Sequence, residues 1–269
     1  MTAGTRTLRI CAVAALLLSA MTSGTTASWA SMSDPQRALV PAYFYPDHWT
    51  VGNPWQSMCD GLRPFPGSIA VMNPDSGPSN AANPDYQIVL SYCQAAGQRV
   101  IGYVHTSYGR RSQRAVKRDI DAYYRYYPRI DGIFLDEMSN DPTMEAYYRS
   151  LHRHVKSKSP EGNLLVGNPG AAAQTSWQLD VPVADAVVVF EGSASSFSRW
   201  TPPTWVLTQP PSKIVQLVHS AADEATMATS CETTGATNNG FAYVTDDVLS
   251  NPWDTLPSFW QSEPQHCWR

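Results

Sequence analysis

The sequence predicts an α/β protein built as a single (β/α)8 TIM barrel, and three observations carry that prediction. Eight short apolar, β-branched runs recur along the chain, segments of helical character lie between several of them, and the distance from first run to last suits one barrel of about 240 residues. The runs are 38–46, 68–74, 99–106, 130–137, 163–169, 186–191, 213–219 and 240–246. Each is bounded by Gly, Pro, Asn or Asp and lacks polar alternation, as buried parallel strands do. The competing open sheet usually carries a Gly-rich phosphate loop after its first strand. Here the first run ends Tyr43-Phe44-Tyr45-Pro46, with no GxGxxG and no GxxxxGK[ST].

The helical segments follow the same logic. In 84–96, Tyr86, Val89, Leu90 and Cys93 fall at helical spacing and Gly97 supplies a stop. Segments 112–127 and 143–158 are amphipathic and rich in tyrosine. Past the sixth run, Pro202, Pro203, Pro210 and Pro211 interrupt any long helix, and the stretches after the sixth and seventh runs read as less regular. The tail, 252–269, supplies a last short helix containing Phe259 and Trp260. His152 and His154, two apart on a helix, should point to different faces and lie in solvent, and Asp185 should sit at the buried bottom of its strand or in the turn before it.

Residues 1–30 read as a secretory signal peptide. Arg6 and Arg9 precede an apolar run, 10–20, too short to span a bilayer comfortably, and small residues lead to a cut after Ala30. Residues 31–269 are then one exported barrel domain, extracellular and free of the membrane, and expected to be a monomer. The whole chain carries 19 basic and 23 acidic residues, a net charge of −4. Loss of Arg6 and Arg9 leaves 17 basic against 23 acidic, about −6 for the mature chain. An acidic chain lacks the basic footprint that nucleic acid requires.

Cys11 lies inside the signal, which leaves Cys59, Cys93, Cys231 and Cys267. An even number in an exported chain points to disulfides. Four cysteines allow three connectivities, and pairing of sequence neighbours, Cys59–Cys93 and Cys231–Cys267, is favoured here. No His/Cys spacing suits zinc, so neither metal nor other cofactor is expected. GxSxG and HExxH are also missing from the sequence.

In a barrel the active site lies where the C-terminal ends of the strands meet. Polar residues collect at those ends: Tyr43 and Tyr45, Asn73, Tyr103 and His105 with Tyr108, Asp136 and Glu137, Asn168, Glu191, Gln216 with His219, and Asp246. Aromatic faces stack on sugar C–H surfaces, and amides and carboxylates bond hydroxyls, so the set reads as a sugar-binding cleft. The strand 132–137 ends in two carboxylates, Asp136 and Glu137, which the period of two sends in different directions. Glu191 ends another apolar run, where partial desolvation raises a carboxyl pKa and suits a general acid. Two carboxylates across a cleft are what glycosidic cleavage needs. Helix caps, turns and surface charges are the plainer readings of each residue taken singly.

The motifs together resemble the spherulin 4-like family. They are 40–46 (Val-Pro-Ala-Tyr-Phe-Tyr-Pro), 69–74 (Ile-Ala-Val-Met-Asn-Pro) with Ser76-Gly77-Pro78, and 100–106 (Val-Ile-Gly-Tyr-Val-His-Thr) with Tyr108 and Arg111. They continue with 131–137 (Asp-Gly-Ile-Phe-Leu-Asp-Glu), Asn168-Pro169-Gly170 and Phe190-Glu191. The resemblance runs from the first strand to the sixth. It implies a secreted (β/α)8 enzyme of glycoside hydrolase family 135, acting with retention on α-1,4-linked N-acetylgalactosamine in galactosaminogalactan, a biofilm exopolysaccharide. The implied acidic residues are Asp136, Glu137 and Glu191. Asp136 is assigned as nucleophile, Glu191 as general acid/base and Glu137 as an orienting group, with the roles of Asp136 and Glu137 open to exchange. The expected partner is a polysaccharide of N-acetylgalactosamine or galactosamine. The rival readings are a non-catalytic polysaccharide-binding protein and a structural or developmental extracellular protein.

Overall fold

Eight strands follow one another around a closed, all-parallel barrel in the computed structural model, which describes residues 1–2, 36–158 and 163–268. They are β1 (Arg37–Ala42), β2 (Ile69–Met72), β3 (Arg99–His105), β4 (Gly132–Asp136), β5 (Leu164–Gly167), β6 (Ala186–Ser193), β7 (Ile214–His219) and β8 (Phe241–Val244). The expected barrel is what forms. Apart from Met1 and Thr2, the proposed signal peptide and its cut lie outside the described residues. Among the described residues no helix is long and apolar enough to cross a membrane.

The outer helices are α1 (Pro54–Gly61), α2 (Pro84–Ala95), α3 (Gln113–Tyr126), α4 (Glu145–Lys156), α5 (Trp177–Asp180), α6 (Ala194–Phe197), α7 (Thr204–Thr208), α8 (Glu224–Ala236) and α9 (Glu263–Cys267). Local chemistry sets their starts. Asn53, Asn83, Ser112 and Asp223 each accept a backbone N–H from the first turn that follows, satisfying one of its free donors. Prolines break the ring between β6 and β7 into the short helices α6 and α7, as expected. The segment after β7 departs from expectation: it forms α8, a regular helix whose Ala, Ser and Thr residues carry no apolar stripe to announce it; the tail helix also differs, since α9 starts only at Glu263, after Pro257, and Phe259 and Trp260 lie buried in the turns before it.

Valine, isoleucine, leucine and alanine of the strands fill the barrel and the layer beneath the helices. Close packing of α3 on β3 depends on Gly102, where a Cβ would stand 2.6 Å from the Tyr123 ring. Disulfides join Cys59 to Cys93, tying α1 to α2, and Cys231 to Cys267, tying α8 to α9; both are the expected pairings.

The bottom of the barrel corrects the histidine reading. His152 is buried, its Nε2 3.5 Å from Asp185, because its side of α4 packs inward. His154 is half-buried and bonds Asp121 at 2.7 Å. Asp185 sits below the strands as expected, accepting the Leu165 N–H at 2.7 Å and the Lys156 ammonium at 2.5 Å. Burial works to raise its pKa, but His152, Lys156 and the Leu165 amide outweigh that and hold it below the usual range.

Candidate active site

Strand register decides which side chains face the barrel axis. Tyr103 pairs with Phe134 and His105 with Asp136; Phe134 in turn pairs with Val166. Alternation then sends Tyr103, His105, Asp136 and Asn168 to one side. β6 joins this layer only through a bulge. Val188 pairs with Val215 and Phe190 with Gln216, so Val189 is an extra residue. The extra residue reverses the alternation. Phe190 turns outward onto Phe197 and Trp200, and Glu191 turns inward opposite Leu217.

Asn168 binds the two inward carboxylates together. Its Nδ2 donates to Asp136 Oδ1 at 2.8 Å and to Glu191 Oε2 at 2.6 Å. Its Oδ1 accepts the Gly170 N–H at 2.8 Å, which fixes the amide with both N–H bonds aimed at the carboxylates. With about 120° between those N–H bonds, the two acceptor oxygens stand about 4.7 Å apart. The turn that holds Asn168 is stitched on both sides. Asn168 N–H donates to Leu135 and Glu191 N–H to Gly170, at 2.8 and 3.0 Å, and Gly170 takes the left-handed conformation (φ 73°) the turn requires.

Burial raises the pKa of both carboxyls. For Asp136 the nearby Glu137 charge adds to burial, while the Tyr103 hydroxyl, the Glu137 N–H and Asn168 oppose it. For Glu191 the Asp136 charge adds, while Asn168 and the Trp253 indole oppose. Each of the two adjacent carboxyls therefore gives up its proton less readily than an isolated one. Tyr43 and Tyr103 stack edge to face at 5.5 Å beside the pair. Burial, reinforced by the Asp136 charge, raises both phenols above their usual range, so they stay neutral donors.

Glu137 leaves the strand in the left-handed region (φ 50°). Its carboxylate lies 3.5 Å from His105 Nδ1, and its carbonyl accepts from Tyr108 N–H and the Thr106 hydroxyl, both at 2.7 Å. These bonds join the β3 and β4 loops. Tyr108 is half exposed on that rim, with the Arg110 guanidinium over its ring.

Other expected residues are held elsewhere. Gln216 is fully buried beneath α8, its amide bonded to Thr237 at 2.9 Å; it has the parity opposite to Leu217 and takes no part in the mouth. Asp246 accepts from the Ser258 N–H and hydroxyl and anchors the tail. Asn73 Oδ1 accepts the Gly77 N–H and closes its own turn. Tyr45 bonds Asp85 and Asn83 at the start of α2, and its half-exposed ring stands 6.2 Å from the exposed Trp49. Trp253, which no strand-end pattern marks, lies beside Tyr43 and His219: its carbonyl accepts the Tyr43 N–H at 3.1 Å and its ring stands edge-on to the His219 ring at 6.2 Å. It lies in the tail, preceded only by the turn signal Asn251-Pro252. No group of three or more His, Cys, Asp or Glu suited to a metal occurs among the described residues.

Comparison with known proteins places this geometry in context. The model of the family described as spherulation-specific family 4 matches residues 37–265, past the sixth strand and nearly to the end of the chain. Spherulin-4 of Physarum polycephalum is 32% identical over 244 residues, 87% of this chain and 70% of that protein. Among solved structures, Aspergillus clavatus Sph3 in complex with GalNAc superposes with a TM-score of 0.72 at 24% identity, covering 87% of this chain and 98% of that one. An endo-1,4-beta-mannanase from Rhizomucor miehei shares the fold at a TM-score of 0.56 and 8% identity, over 87% of this chain and 97% of the mannanase. The protein thus belongs to spherulation-specific family 4.

Proposed function

We propose that the protein is a secreted glycoside hydrolase that cleaves within α-1,4-linked N-acetylgalactosamine polymers of the galactosaminogalactan type, with retention of configuration. The observation that carries this reading is the amide of Asn168 holding Asp136 and Glu191 side by side. A separation of about 5 Å suits direct attack by one carboxylate; inversion needs about 6.5–9.5 Å to admit a water between. The GalNAc bound in the related Sph3 structure supports an amino-sugar substrate.

In this mechanism Glu191 holds the pair's proton and gives it to the glycosidic oxygen as the C–O bond breaks. Asp136 attacks the anomeric carbon and forms a glycosyl ester. Glu191, now ionised, takes a proton from water, whose oxygen displaces Asp136 and restores both groups. Tyr43 and Tyr103 line the reacting sugar as donors, and Glu137 with His105 orients the rim of the cleft. The two disulfides support an exported protein, and the reading takes the mature chain to start at Ser31. The reading takes the mature chain as a monomer.

The test incubates residues 31–269, wild type and Glu191→Gln, with galactosaminogalactan and follows oligosaccharide release by mass spectrometry. Release of N-acetylhexosamine oligomers by the wild type only is expected. Binding without release by either would replace the hydrolase with a polysaccharide-binding protein.

A further inference from the structure

Positive charge is concentrated in one stretch of this acidic chain. Residues 110–158 hold 11 of the 19 basic residues and 7 of the 23 acidic ones. With Arg6 and Arg9 set aside, the rest of the chain carries 6 basic against 16 acidic residues. The basic stretch contains α3 and α4, which pack side by side on the barrel wall.

Helical periodicity sets the direction of the charges on α3. Val116, Ile120 and Tyr123 are buried against the barrel. Arg114, Arg118 and Arg125 each lie two residues from one of these, on the opposite side of the helix, and are exposed. Among the described residues, neither these three nor Lys117 has a carboxylate within 4.0 Å. The nearby carboxylates are matched by other cations: Asp119 by Arg111 at 2.6 Å, Glu145 by Arg149, and Asp121 by His154 at 2.7 Å and by Lys158. Between the two helices lies a groove of about 500 Å³, lined by Gln113, Arg114, Lys117, Arg118, Asp121 and His154.

Because α3 follows β3, it starts beside the barrel mouth and runs toward the base. Arg110, over the Tyr108 ring on the rim, precedes the row of arginines, and the exposed Arg129 follows it. Arg114 and Arg118 stand about 6 Å apart along the axis, and Arg118 and Arg125 about 10 Å. At about 0.1 M salt, charges beyond about 10 Å are largely screened, so a molecule meeting this face responds to the row and not to the net negative charge of the chain.

We propose that the outer face of α3, with its groove against α4, binds a linear polysaccharide of carboxylated sugars. The row is too sparse for nucleic acid, whose duplex carries one charge per about 1.7 Å of axis. Carboxylates spaced along a sugar chain are further apart, and each is met by paired N–H donors of a guanidinium. An exposed row running from rim to base suits a chain better than a compact ligand. It lies on the barrel wall, apart from the Asp136–Glu191 pair, and does not depend on the proposed hydrolysis.

The test is affinity electrophoresis of the mature protein, residues 31–269, through gels containing polygalacturonate at about 20 to 200 mM NaCl. Arg114→Ala/Arg118→Ala/Arg125→Ala removes the row. Arg63→Ala/Arg199→Ala/Lys213→Ala removes the same charge from elsewhere, and Arg114→Lys/Arg118→Lys/Arg125→Lys keeps the charge in place. Loss of the row is expected to weaken binding at least about tenfold and to make the slope of log K against log salt shallower by about 2 to 3, while the control elsewhere binds like wild type. The lysine variant should keep the wild-type salt slope. Hydrolysis of a soluble N-acetylgalactosamine oligomer should be unchanged by loss of the row. Absence of wild-type binding at about 20 mM salt, or equal weakening in the control, overturns the inference. Retardation by duplex DNA at least as strong as by polygalacturonate, with the same loss in the row variant, overturns the assignment to a polysaccharide. Binding that follows the row in a protein that hydrolyses nothing leaves this surface standing and removes the proposed hydrolase.

Discussion

Asn168→Ala takes away both N–H groups that hold the carboxylate pair. Each bond to a charged oxygen contributes about 1.5–3 kcal/mol where buried. Without the amide, two ionised oxygens about 4.7 Å apart would repel by about 3.5 kcal/mol at an effective dielectric of about 20. The working pair carries one charge, so the repulsion acts on loss of the second proton, while the lost bonds act on placement of both groups. A loss of about 3 kcal/mol of transition-state stabilisation corresponds to a fall in kcat/KM of about 10²-fold. Asn168→Asp keeps the shape and sets a third carboxylate against the other two, so its defect should be deeper at neutral pH and partly recover in acid. The assay is kcat/KM on a soluble N-acetylgalactosamine oligomer from about pH 4 to 8. If Asn168→Ala stays within threefold of wild type with both limbs in place, the bridge does not organise the pair and the reasoning fails.

Two further outcomes follow from the same geometry. Burial raises the Asp136 pKa and the Tyr103 hydroxyl restrains it; Tyr103→Phe should therefore move the acid limb of kcat/KM upward, and an unmoved limb would count against Asp136 as the ionised nucleophile. Glu263 is fully buried, and its pKa is driven well up by burial and the Asp246 charge against a single Val244 amide. The folded state then keeps a proton that the unfolded chain gives up near about pH 4.3, so stability falls as pH rises above that value. Glu263→Gln removes the titration, and its Tm advantage over wild type should be larger at pH 8 than at pH 5; equal differences at both would refute the assignment.

The barrel was legible because its strands are continuous apolar runs closed by turn residues, a pattern that survives without any view of tertiary contacts. Asp136, Asn168 and Glu191 stood out for the same reason, as polar residues ending such runs. Gln216 misled because position along β7 was weighed without parity: it lies three residues before His219 and so faces the opposite way. Asp246 and Asn73 sit near the right end of the barrel but spend their oxygens on local backbone. His152 looked like a surface residue because Asp185, its partner, lies on another unit of the chain. α8 was missed because small and hydroxylated residues give a helix no apolar stripe. Trp253 was out of reach altogether, because nothing in the letters of the tail marks that its backbone meets Tyr43 and its ring meets His219.

The extra residue in β6 makes the catalytic reading sensitive to chain length rather than to residue identity. Deleting Val189 would leave Phe190-Glu191-Gly192 intact as a written motif while rotating the phenyl ring into the cleft and the carboxylate out toward α6. A relative with all three acidic residues but one residue fewer between strand start and Glu191 would present the same letters and a different surface. In this fold, aligned acids identify an acid/base pair only when the intervening spacing is counted as well.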